Sequence, residues 1–154
     1  MFEKINRNSK KKKIMEKEFI GYAEALSLKE LGFDEPCLGK FYFIQLEIGG
    51  NWCNNDFKED PDVFISAPLY QQAFRWFREK YNLQSIIIPF AENSIDENSN
   101  TLYYYIINKK QFYGFVNAQE EIGFNSQEEA ELECLKKLIE IVKQQKEDGS
   151  KITL

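Results

Sequence analysis

Five apolar residues, Tyr70, Ala73, Phe74, Phe77 and Tyr81, recur at i, i+3, i+4, i+7 and i+11. Only a helix gathers that spacing into one stripe, so the segment is committed to an α-helix with a single buried face. Ser66 offers an N-cap and Pro68 falls in the first turn, where a missing N–H costs little, so the helix is expected over 66–82. Its other face carries Gln71, Gln72, Arg75, Arg78 and Glu79. A helix built this way needs a layer to lie on, and short β-prone runs supply it.

Lys40 to Ile48 is rich in aromatic and branched residues, and Ile44, Leu46 and Ile48 alternate with Gln45 and Glu47, which predicts one half-buried strand ended by Gly49-Gly50. Gln84 to Phe90 is a second strand, ending or lying at an edge at Pro89, which has no N–H to give to a ladder. Leu102 to Ile107 and Phe112 to Val116 read as a hairpin bending at 108–110. Residues 51–62 and 92–100 are polar and predict loops. Two further helices flank these runs. Tyr22 to Leu31 forms one, closed by Gly32 in a left-handed conformation with Phe33 folding back. Ser126 opens the other through a capping box with Glu129; Leu132, Leu135, Leu138, Ile139 and Val142 line its buried side and Gly149 marks its end.

The expected fold is therefore α+β, in the order α-β-α-β-β-β-α, with three helices on a small, mainly antiparallel sheet of about four strands. Aromatics at 15% of 154 residues give enough large rings for a core at this size. The expected organisation is a basic disordered tail at 1–14, one domain over 15–148, and a frayed end at 149–154. Met15 is a candidate natural start.

The charge is lopsided. Residues 1–14 carry six cations against Glu3, a net +5, which leaves −10 on the remainder of a chain whose total is −5. An acidic body repels phosphate backbones, so nucleic acid is an expected partner only for the tail. Cys37, Cys53 and Cys134 are odd in number and show no C-x-x-C spacing, and no apolar stretch follows the basic start. Free thiols, a cytoplasmic location and no membrane association are expected.

The chain has no histidine. That removes Ser-His-Asp and Cys-His nucleophile activation and the usual imidazole acid–base. Three scattered cysteines make a poor zinc set, Gly49-Gly50 lacks the rest of a phosphate-loop signature, and Asp96 to Asn100 opens like a calcium loop but has Thr101 where glycine is required. Asp56, Glu59, Asp60 and Asp62 read as a solvated acidic loop. No cofactor, metal or catalytic residue is expected, and the chain is read as a binding protein.

Two surfaces are candidates for binding. Gln71, Arg75 and Arg78 share one helix face flanked by Trp76, a set that suits a nucleotide-like anion or a protein partner. The same spacing fits arginines paired to an acidic body, with Trp76 on the core. Tyr104 must face opposite Tyr103 and Tyr105 on its strand, so an exposed tyrosine suits an interface, a homodimer included, unless a helix covers that face. Three stretches, 28–37 (LKELGFDEPC), 65–81 (ISAPLYQQAFRWFREKY) and 128–142 (EEAELECLKKLIEIV), resemble a group of small bacteriophage- and prophage-encoded proteins with no established activity. The resemblance implies an accessory protein acting on a host protein or defence system in a bacterial cytoplasm, and it supplies no site residues.

Overall fold

The computed structural model describes residues 15–91, 101–109 and 123–151. The fold is α+β. Its elements run α1 (Tyr22–Glu30), β1 (Cys37–Tyr42), β2 (Gln45–Trp52), a 3-10 turn (Asn54–Phe57), β3 (Phe64–Ala67), α2 (Tyr70–Lys80), β4 (Leu83–Ala91), β5 (Thr101–Lys109) and α3 (Gln127–Lys151). The chain divides into two compact units, Met1–Gln72 and Ala73–Leu154. Five strands form two antiparallel sheets, β2-β1-β3 and β4-β5, in place of the expected single sheet of about four.

In the first unit α1 closes as its sequence requires. Gly32 takes φ 89, and the N–H groups of Gly32 and Phe33 donate to the carbonyls of Lys29 and Leu28, the two-bond Schellman closure. Phe33 is thereby folded into the core beside Leu28, both buried. The sheet turns Cys37, Gly39 and Phe41 to α1, with the Phe41 ring edge-on to Tyr22 at 5.5 Å. Gly39 permits this packing, since a Cβ there would stand 2.8 Å from the Phe19 ring.

The strand expected over 40–48 is instead two strands. Tyr42 pairs with Gln45, so the chain reverses at Phe43-Ile44, and β2 runs past Gly49-Gly50 to Trp52. The helix expected from 66 starts at Tyr70. Residues 64–67 pair with β1 instead, and Ser66 is buried in that strand rather than capping a helix. The physical reason is a tether. Asn54 Oδ1 accepts the Ser66 N–H at 3.0 Å while Asn54 Nδ2 donates to the Phe33 carbonyl at 2.6 Å. Part of the loop expected at 51–62 is thus structure, and Phe57 is buried within it.

In the second unit β4 and β5 pair along their full lengths from Leu83↔Lys109 to Ala91↔Thr101. Tyr103 also exchanges two 2.9 Å bonds with Phe124 on the other edge of β5. The partner expected at 112–116, the basic tail, the calcium-like segment at 96–100 and the end at 152–154 lie outside the described residues. Pro89 does lie at a sheet edge, and β4 continues two residues beyond it. Ser126 Oγ accepts the Glu129 N–H at 3.2 Å and so caps α3, while the Glu129 carboxylate accepts the N–H of Asn125 at 3.1 Å, one residue ahead of the partner the expected capping box would use. Ala130, Cys134, Leu135, Leu138, Ile139 and Val142 form its buried stripe, with Leu132 at the margin. The helix runs through Gly149 to Lys151.

Candidate functional site

The β1–β2 turn breaks the usual rules for its place. A two-residue hairpin loop favours glycine or asparagine where φ is positive. Here Phe43 holds φ 51, and Ile44 does not share the positive sign, the sign pattern of a type II′ turn with phenylalanine where that turn takes glycine. A bulky residue in that region costs about 1–3 kcal/mol unless its surroundings impose it. The imposing contact is local: the Phe43 N–H donates to the Val63 carbonyl at 2.8 Å. Neither loop side chain is repaid by burial, since Phe43 is 55% and Ile44 75% exposed.

Behind the turn the rings form a continuous series. Tyr42 lies 4.9 Å from Phe43 and stacks on Phe64 at 5.0 Å; Phe64 stacks on Phe57 at 5.4 Å, and Phe57 on Trp52 at 6.1 Å. Lys40 lies among them, its Nζ 4.3 Å from the Trp52 ring and 4.7 Å from the Phe64 ring, and 3.5 Å from the Glu47 carboxylate. Its cation is engaged with rings and one acid, so it adds little free charge at the tip. Trp52 reaches this position by lying across Gly50, where a Cβ would come 1.8 Å from its Nε1. The tip therefore stands on a base of stacked rings.

Its rim is acidic. The Val63 bond brings the 56–62 segment beside the turn, and that segment holds Asp56, Glu59, Asp60 and Asp62 against Lys58 and against Lys29, whose Nζ donates to the Pro61 carbonyl. Asp56 is taken up locally, accepting the Cys53 N–H at 2.7 Å, while Glu59, Asp60 and Asp62 are exposed. Among the described residues no three His, Cys, Asp or Glu side chains come together as a metal-holding group. All three cysteines are free thiols; burial pushes Cys37 and Cys134 up to about 12, and desolvation also raises Cys53.

Of the residues picked out from the sequence, Gln71, Arg75 and Arg78 are exposed on α2. Trp76 is not a surface plane beside them: it is 5% exposed, edge-on to Phe77 and Tyr81 at 5.0 and 5.2 Å, with Lys80 Nζ 4.8 Å over its ring. Tyr104 is half-buried on β5, its ring edge-on to Phe90 at 6.1 Å, on the face that exposes Ile86, Ile88 and Phe90. Tyr105 faces the other way, stacked on Phe124 at 6.0 Å. The sequence reading did not pick out Phe43 and Ile44. One signal for them exists: buried positions fall at 37, 39 and 41, whereas the apolar phase of β2 falls at 46 and 48, a slip of one that an unbroken strand cannot carry.

Comparison with family models, curated proteins and solved structures finds no match to this chain. Among the described residues no helix is long and apolar enough to cross a membrane.

Proposed function

We infer that this chain is a non-enzymatic accessory binding protein, of the phage type its sequence resembles, that engages a bacterial cytoplasmic protein through the Phe43-Ile44 tip. The observation that carries this reading is an apolar pair, strained at Phe43 and exposed, in a turn that glycine or asparagine would make at lower cost. Folding gains only the ring contact of Phe43 with Tyr42 from that choice, whereas Ile44 is 75% exposed and free to enter a pocket. An anchor of this kind, fixed on a stacked base, loses little conformational entropy when it enters a pocket. The acidic rim favours a partner whose apolar socket is bordered by Lys or Arg, and it disfavours anionic membranes and nucleic acid. Inhibition follows if the socket is one the partner needs for its own contacts.

The test compares the wild-type chain with Ile44→Asp as bait in bacterial lysate. Ile44 is largely exposed, so the substitution leaves near-UV dichroism unchanged while placing a charge at the point of entry. The expected result is one stoichiometric partner that the variant fails to retain. Repeated recovery without such a partner, or retention by the variant, sinks the reading.

A further inference from the structure

Every sheet has edges, and three of the strands here show how edges are kept from sticking. β3 is only four residues long, and β2 carries Glu47 together with a register irregularity and Gly49 at φ 113. Short length, charge and irregularity each spoil an edge as a template. On β5, Phe124 takes the far side. β4 has none of these four; its one guard is Pro89, whose missing N–H blunts the edge at that position alone. Its nine residues, Leu83 to Ala91, include no charged side chain. Ile86, Ile88 and Phe90 are 54%, 38% and 52% exposed.

The direction of its backbone groups follows from one observation. Tyr103 gives its N–H and takes with its C=O in the bridge to Phe124, so neither points at β4. The Tyr103–Pro89 pair is therefore a non-hydrogen-bonded pair of the antiparallel ladder, and alternation turns Leu83, Ser85, Ile87 and Pro89 outward from β5. Pro89 sits where its lost N–H spoils no internal bond. Leu83 is 1% exposed, which closes its backbone to an incoming strand. Ser85 and Ile87 remain, and among the described residues their backbone groups have no partner on that edge.

We propose that β4 pairs with β4 of a second copy of this chain, antiparallel, about a two-fold axis at Ile86. In this register Ser85 and Ile87 of one copy exchange N–H and C=O with Ile87 and Ser85 of the other. An axis at Ser85 would require the closed Leu83 backbone, and an axis at Ile87 would set Ser85 against Pro89, which has no N–H. The register at Ile86 alone gives both open donors and both open acceptors a partner. It also sets Ile86 against Ile86 and Ile88 against Gln84 on the exposed face, and brings no like charges together. Two two-stranded ribbons, each marginal alone, become one four-stranded sheet.

The test is sedimentation equilibrium of the full chain with site-directed crosslinking. The wild-type chain is expected at twice the 18.2 kDa chain mass, and Ile86→Lys at the single mass, still unfolding in one cooperative transition that no longer depends on protein concentration. In a Cys53→Ser background, Ile86→Cys is expected to form a disulfide dimer under mild oxidation. The facing Cα atoms of a non-hydrogen-bonded pair stand about 4.5 Å apart, within disulfide reach. Ile88→Cys alone, facing Gln84, is expected to stay reduced, and to crosslink when mixed with Gln84→Cys. The proposal is overturned by a wild-type monomer at all concentrations up to about 100 μM, where mass action would populate even a weak dimer. A dimer that survives Ile86→Lys, or Ile88→Cys crosslinking alone as readily as Ile86→Cys, overturns it too.

Discussion

Asn54 ties three segments of the first unit with one side chain, and its removal has a calculable cost. Its Nδ2 donates to the Phe33 carbonyl and its Oδ1 accepts from the Ser66 N–H, at 2.6 and 3.0 Å. Both partner residues are buried, at 2% and 1% exposure, so water does not replace the lost bonds. Leaving a buried backbone group unsatisfied costs about 1–3 kcal/mol, more than the bond's net worth, so Asn54→Ala is expected to lose about 2–4 kcal/mol for the pair. Urea unfolding followed by tryptophan emission measures it, with Trp52 two residues away as the reporter. At a slope of about 2 kcal/mol per molar, the midpoint should fall by roughly 1–2 M with the slope unchanged. Asn54→Asp separates the two bonds: it keeps an acceptor for Ser66 but sets a carboxylate oxygen against the Phe33 carbonyl, so it should be no more stable than the alanine variant. A midpoint shift below about 0.3 M for Asn54→Ala, near 0.5 kcal/mol at that slope, would refute the tether and with it the account of why 64–67 is a strand.

Three further outcomes follow from the same packing. Ser66 Oγ is buried without a hydrogen-bond partner among the described residues, so Ser66→Ala should raise stability by about 1 kcal/mol, the backbone bond to Asn54 being kept; a loss would show that the hydroxyl is satisfied. Cys37 and Cys134 are pushed up from an ordinary 9.0 to about 12 by burial, so the fold holds their protons where the unfolded chain releases them. Their contribution is complete below about pH 9 and drains as pH rises toward 12, at about 1.4 kcal/mol per pH unit for each thiol. Tyr81 and Tyr105, also raised by burial, add loss in the same direction, and urea midpoints that stay level from pH 8 to pH 11 would contradict this. Gly50→Ala should expel the Trp52 indole from its place, read as a red shift and a gain in iodide quenching of that emission; an unchanged spectrum would mean that the chain yields instead of the ring.

What the sequence made legible is what local chemistry decides. The Gly32 closure of α1 and the Ser126–Glu129 cap of α3 each lie within a turn of chain, so the residues that encode them stand together. The missed elements are those where a local pattern serves a distant partner. Ser66-Ala67-Pro68 has the residues of a helix start, yet the Ser66 N–H is claimed by Asn54, twelve positions earlier, and residues 64–67 by β1. Pairing across the chain, not propensity, decided that segment. The division into two sheets was hidden for the same reason, because no spacing within a strand names its neighbour. The candidate site was obscured in a different way. Trp76 looks like a recognition residue by type, but an eleven-residue helix with Ala73, Phe74 and Phe77 buried also carries Trp76 inward.

The Phe43-Ile44 turn and the β4 edge were hard to read because each breaks a rule that the rest of the fold obeys. Among the described residues the other positive-φ positions are Gly32, Gly49 and Asn82, and the other strand edges are short, charged, irregular or bridged. A sequence under pressure only to fold would place Gly-Asn at 43–44 and a lysine at 86, each at no cost to the core, since both sites face outward. Locally costly residues at exposed positions are where selection for contact, rather than for folding, is most directly visible. The two departures are also separable in experiment. A charge at Ile44 should leave the sedimenting mass untouched, and a charge at Ile86 should leave capture of the proposed partner untouched unless capture needs two tips at once. In that last case the dimer would act by raising effective concentration, and the loss on Ile86→Lys would be recovered by linking two copies in one chain.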